Sequence, residues 1–373
     1  MAFNQRLIEI FNQRPFLIRA FVFYIVAVVA GSLVVLLFKR KYLGAIKFCL
    51  LFAMLVPFTY LVLPLVHQPS LAVAALLAAA ITLLLAGVIW KLVPCMPGRI
   101  MTICLMMTGT LLIDQWTGGR LIQGSPLGYD VIAGARFYGI GNEYMGVLVG
   151  AGCMGTAAAL ERLRMQRSIT VGGAAVLMTT VLATLALPWW GTNVGGAITA
   201  FAAFGLFIML MAGYRITWGR IAVLGLALAI AVIGLFILDS FRAVESQSHI
   251  GQTVKLIREN GVQELFNIAY RKISMNIRLF KYTIWTRVFL SSLFAMIILF
   301  YRPKGLFKDV KERYPALHHG FISGMVGSAV AFAVNDSGIV AAATCMIYVG
   351  LSFIFVIAQQ IDDFERSKDI IAR

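Results

Sequence analysis

Apolar residues in this chain come in long runs, at about 16–38, 43–66, 70–90, 100–113, 138–160, 168–187, 194–213, 221–239, 283–301, 316–334 and 338–360. Crossing a hydrocarbon layer of ~30 Å takes roughly 20 apolar residues in a helix. A chain built this way is expected to be all-α, a polytopic integral membrane protein of about eleven transmembrane helices. Its composition agrees: 60% of residues are hydrophobic, 13% are charged and the mean hydropathy is +0.88, too apolar for a soluble globular domain. No internal repeat or linker divides it, so residues 1–373 read as a single transmembrane domain. The shortest run, 100–113, either continues through Asp114 and Trp116 or breaks near them, and a broken helix would suit a binding site. Phe16 to Phe38 lacks the short apolar core and small-residue cleavage site of a signal peptide and reads as a retained helix.

The formal charge of +16 sits mainly in short connections. Lys39, Arg40, Lys41 and Lys47, then Lys91 and Arg99, then Arg162, Arg164 and Arg167, then Arg215 and Arg220, then Arg302, Lys304, Lys308, Lys311 and Arg313 mark alternate loops. The connections at 67–70, 188–195 and 335–337 have no Lys or Arg. Basic loops stay cytoplasmic, which gives an N-out, C-in topology and argues against a nucleic-acid partner. The long basic loop 240–282 falls outside, as long loops translocate largely regardless of charge. Within it Val262, Leu265, Phe266, Ala269, Ile273, Ile277 and Phe280 recur at helical spacing while Arg271, Lys272, Arg278 and Lys281 stay polar, the pattern of an amphipathic interfacial helix.

Four polar clusters fall on the outer side: Asp114, Gln115 and Trp116 leading through GSPLGYDVIAGARFYGIGNE; PWWGTNVGG at 188–196; DSFRAVESQSHIG at 239–251; and NDSG at 335–338. Burying an unpaired ionised group costs several kcal/mol, so Asp114, Arg136, Glu143, Asp239, Arg242 and Asp336 need partners, water or a ligand. Arg136 offers a fork for phosphate or carboxylate, or else pairs with Glu143 or Asp114. His249, a histidine expected outside, suits general acid or base work or an ordinary loop role. Asn142, Asn193 and Asn335, with the carboxylates, could bind substrate polar groups or a hard divalent cation, although no spacing demands a metal. Asn335, Asp336 and Ser337 equally suit a tight turn that caps the next helix.

Cys49, Cys104, Cys153 and Cys345 lie in apolar helices and Cys95 in a loop, without CxxC or Cys/His spacing, so no disulfide framework or thiolate metal site is supported. His318 and His319 are expected at the inner interface with no assigned chemistry. Gly146 and Gly150, like Gly320 and Gly324, match the spacing of close helix packing. The sequence specifies no cofactor.

At GARFYGIGNEYMG, DSFRAVESQSHIG and AVNDSG the chain resembles an uncharacterised bacterial polytopic membrane family with G-R-F-x-G-I-G-N, S-H-x-G and N-D-S-G elements. The likeness covers roughly residues 110–350 and rests on Arg136, Phe137, Gly139, Gly141, Asn142, His249, Gly251, Asn335, Asp336, Ser337 and Gly338. It implies a multi-pass protein of the bacterial cytoplasmic membrane and brings no established activity. Some relatives carry an extracytoplasmic alkaline-phosphatase-like domain, for which the apolar runs leave no room here. On Arg136, Asn142 and His249 the chain is also similar to O-antigen ligases, whose outer-loop histidine faces a lipid-linked sugar.

Three functions follow as expectations. One is a cell-envelope transferase or ligase for an anionic or polyprenyl-phosphate-linked lipid, with Arg136 and Arg242 on the phosphate and His249 as base, oriented by Asp239 or Glu245. Asp114, Glu143, Asn142, Asn193, Asn335 and Asp336 would complete that site. The second is a transporter or flippase with Asp114, Glu143, Asp239 and Asp336 along its pathway, against which the inner helix halves look almost wholly apolar. The third is a membrane scaffold for an extracytoplasmic partner protein. All three imply contact with membrane lipids.

Overall fold

A computed structural model describes residues 2–68, 70–129, 138–163, 167–240, 262–301 and 306–371. Among them are helices and connections and no strand. In chain order the helices are α1 (Ala2–Phe38), α2 (Leu43–Val62), α3 (Leu71–Leu92), α4 (Met96–Trp116), α5 (Arg120–Gly124), α6 (Asn142–Leu163) and α7 (Arg167–Ala186). There follow α8 (Val194–Met211), α9 (Trp218–Ser240), α10 (Val262–Tyr282), α11 (Trp285–Tyr301), α12 (Leu306–Arg313), α13 (Pro315–Val334) and α14 (Gly338–Ile371).

Every apolar run appears as a helix. Among the described residues eight helices are long and apolar enough to cross a membrane, or up to nine when the bent pair Tyr270–Tyr282 and Trp285–Tyr301 is taken as one span. The expected eleven included the runs on α7, α9 and α11; among the described residues these count as the shorter apolar stretches Val171–Ala186 and Trp218–Ala231 and the 17-residue α11. The short run at 100–113 proves to be part of a continuous 21-residue helix that carries Asp114 in its last turn. At the other extreme, α1 and α14 run 37 and 34 residues, past their apolar stretches into polar sequence.

The core forms around α14. All of its apolar window is buried, and α6, α13, α11 and α2 pack around it. Lipid tails are as apolar as the helices, so association rests on close packing, which small residues permit. A Cβ at Gly146 of α6 would overlap the Ala341 carbonyl oxygen and Thr344 Oγ1 of α14, and one at Gly150 would lie 2.5 Å from the Cys345 oxygen. On α13 a Cβ at Gly320 would come within 2.7 Å of Ala157 Cβ, and one at Gly324 within 2.5 Å of Val349 Cγ2. Both small-residue pairs therefore sit at helix contacts.

Basic side chains anchor one end of the bundle. Lys47 of α2 reaches Asp362 at 2.6 Å and Gln359 at 2.9 Å on α14, and Arg40 pairs with Glu365. Arg99 donates to the carbonyls of Trp90 (3.0 Å) and Val93 (2.7 Å), with its guanidinium 4.0 Å from the Trp90 ring centroid. Glu161 of α6 accepts from Ala316 N at 2.9 Å and satisfies the start of α13.

Gly146→Leu and Gly150→Leu are expected to lower the melting temperature of the purified protein in mild detergent, by about 1–3 kcal/mol of overpacking strain each. Gly172→Ala on α7, where a Cβ meets nothing within 4 Å, is expected to leave it unchanged.

Candidate functional site

The opposite end of the bundle gathers Asp114, Glu143, Asn193, Asn335 and Asp336. Asp114, 2% exposed, ends α4; the chain reverses through Gly118 and Gly119, both at positive φ, into α5. Its two carboxylate oxygens accept from Leu121 N at 2.8 Å and Ile122 N at 3.1 Å, so the charge faces the N-terminus of α5, where the orphan N–H groups stabilise it. Ser125 shares a 2.6 Å hydrogen bond with Tyr144 of α6 and donates to the Tyr60 carbonyl of α2 at 2.8 Å. Asp114 and its turn are thus fixed against two other helices.

Glu143 lies in the first turn of α6, the favourable end of the helix dipole for an acid, and pairs with Arg14 of α1 at 2.9 Å. The half-buried Asn142 begins the same helix. Just before it, Ile140 N donates to the Gly191 carbonyl at 2.8 Å. Asn193 Nδ2 donates to the Ile140 carbonyl at 2.9 Å, while its Oδ1 accepts from Gly196 N at 2.7 Å as N-cap of α8. One buried amide side chain therefore joins the 138–141 strip to the start of α8. Trp116 Nε1 donates to Thr184 Oγ1 at 3.1 Å, bringing α4 to α7.

The turn between α13 and α14 closes the arrangement. Asn335, 4% exposed, donates from Nδ2 to the Ala331 carbonyl at 2.9 Å and to Thr199 Oγ1 of α8 at 3.4 Å. Gly195 of α8 has no Cβ because that position is filled by the Asn335 side chain. Asn276 of α10, also buried, donates to the Asn335 carbonyl at 2.9 Å and accepts from Gly338 N at 2.7 Å. Beside it Lys272 pairs with the exposed Asp336 at 3.1 Å and donates to the Val334 carbonyl at 3.2 Å. Two side chains of α10 thus clamp both flanks of the 335–337 turn.

Asp114, Glu143, Asn193, Asn335 and Asp336 are brought to one end, each in contact with a partner. Arg136, Arg242, Glu245 and His249 lie outside the described residues, as does the side chain of Asp239 in the last turn of α9. Sequence reasoning missed Asn276 and Arg14. Asn276 follows Ile273 by three residues and precedes Phe280 by four, so it interrupts the apolar stripe of α10, a usable sign of a buried polar contact. An open groove of about 510 Å³ lies between α1 and the α10–α11 elbow, with Arg19, Lys281 and Arg287 in its lining.

No family model, curated protein or solved structure matches this chain.

Asn276→Ala strands the buried Gly338 N–H and removes the donor to Asn335, at an expected cost of about 1–3 kcal/mol in thermal unfolding. Asp336→Asn loses only an exposed ion pair and should leave the melting temperature within error.

Proposed function

We propose that this chain is an eleven-span protein of the bacterial cytoplasmic membrane, N-out and C-in, that acts at its outward end on an anionic lipid-linked substrate as a cell-envelope transferase or ligase. The observation that carries the reading is the right-angled elbow at that end. α10 meets α11 at 82°, so when α11 stands across the membrane α10 runs along its surface. α10 buries Asn276 inward, leaves Tyr270, Ile273 and Ile277 exposed on a second side and turns Arg271, Arg278 and Lys281 outward. A helix with an apolar and a basic exposed side suits the boundary between acyl chains and anionic headgroups.

Chain connectivity supports the assignment of chemistry. Arg136 is four residues from the pinned Ile140, and Arg242 and His249 belong to the segment between the end of α9 and the start of α10. In this reading the two arginines hold the substrate phosphate and His249 is the base, with Asp239 orienting it. The opposite end, with its Lys47, Arg99 and Arg40 contacts, faces the cytoplasm, as the positive-inside rule requires.

A specific observation favours a second reading, a scaffold for an extracytoplasmic partner. Asp114, Glu143, Asn193 and Asn335 are engaged in contacts that order the loops.

Cysteines placed at Asp336 and Arg215 of a variant lacking the native five should react with a membrane-impermeant maleimide in intact cells at the first position only. A deletion strain complemented with Arg136→Ala or His249→Ala, each checked for membrane insertion, should accumulate a lipid-linked precursor on the outer leaflet. Full rescue by both variants would refute the enzyme and leave the scaffold.

A further inference from the structure

We infer that the groove between α1 and the α10–α11 elbow is a binding site for the phosphate headgroup of an anionic membrane lipid. The inference rests on the proposed outward, membrane-surface placement of α10. Arg19, Phe23, Lys281, Tyr282, Thr283 and Arg287 are among the residues that line it, and the lining contains no acid. Arg14, five residues before Arg19 on α1, has Glu143 for a partner. Among the described residues Arg19, Lys281 and Arg287 have no carboxylate within ion-pairing distance. Three cations around one concavity repel each other, and an anion with several acceptor oxygens relieves all three at once.

The depth fits a lipid. From Ala20 to Phe38 α1 has no charged residue, and α11 has none from Val288 to Tyr301. Arg19 and Arg287 are therefore the last charges before two apolar spans that pack side by side, the level at which lipid phosphates lie. The Arg287 guanidinium is held 5.4 Å from the Phe23 ring centroid, which fixes the cation above an apolar wall. Phe23 and Ile284 extend that wall towards the acyl region, while Thr283 adds a hydroxyl and Tyr282 stands exposed at the rim. The volume of about 510 Å³ accommodates a glycerophosphate group. Free phosphate shares this chemistry but has no use for the apolar wall.

The test is native mass spectrometry of the purified full-length chain in detergent, titrated with phosphatidylglycerol, with phosphatidylcholine, and with inorganic phosphate as competitor. Phosphatidylglycerol should bind about tenfold more tightly than phosphatidylcholine, as charge-assisted contacts to phosphate without a neutralising choline predict. Arg19→Gln/Lys281→Gln/Arg287→Gln should abolish the preference. Arg271→Gln/Arg278→Gln, which removes two charges of α10 outside the groove, should retain it. Lys281→Gln alone, at an exposed position, should keep the melting temperature and lower the preference severalfold. Equal binding of the two lipids by the unmodified protein, or equal loss in the Arg271/Arg278 variant, would overturn the site. Displacement of phosphatidylglycerol by equimolar inorganic phosphate would overturn the lipid as its occupant. The binding readout is independent of the precursor assay, so a retained lipid preference beside full rescue by both Arg136→Ala and His249→Ala would sink the enzyme and leave this site standing.

Discussion

The near-contact of α6 with α14 is the constraint on which the rest of the structure depends. In hydrocarbon there is no water to drive two apolar surfaces together, so helices associate through close, extensive packing. Gly146 and Gly150 supply that by letting the backbone of α6 approach the carbonyls of Ala341 and Cys345. α14 can then be buried along its whole apolar length, with α13 brought in on another side by Gly320 and Gly324. The outer helices, such as the sparsely buried α3, complete the layer facing lipid.

That packing sets where helix ends fall, and the ends then impose their own demand. Terminal N–H and C=O groups need partners, and here buried side chains supply them across large sequence distances. Asn193 serves both its own helix and the Ile140 carbonyl; Asn276 serves the end of α13 and the start of α14 at once. Such two-sided amides fix the geometry of a turn more firmly than a one-sided cap. They make the polar end of the described bundle a stiff frame.

Much of this was legible in the sequence because it depends on local composition. Each apolar run forms a helix, and among the described residues Asp114, Glu143, Asn193, Asn335 and Asp336 are drawn into the contacts of one end. The helix limits were less legible, since they are decided by distant partners. The apolar residues from Tyr138 onward suggest a helix, yet α6 waits until Asn142 because Ile140 is bonded to Gly191 and Asn193. The run at 100–113 could continue through Asp114 and Trp116 or break near them; it continues to Trp116, and the Asp114 carboxylate is satisfied by α5. A pairing of Glu143 with Arg136, one expected alternative, lies outside the described residues; among those described Glu143 pairs with Arg14, 129 residues away, a distance no local pattern reports. The stripe of α10 was read as a single apolar face, whereas Asn276 turns inward and Ile273 and Ile277 remain exposed.

The length of α14 has a mechanical side. At 34 residues it is about 50 Å long, given a rise of 1.5 Å per residue. Near its first residue it is gripped by Asn276, and towards its far end Asp362 and Glu365 are tied to Lys47 and Arg40. A rigid rod clamped at both extremities and sheathed over its apolar length cannot slide or rotate at one without straining the other. Any load on the 335–337 turn therefore reaches the opposite surface through a single axle.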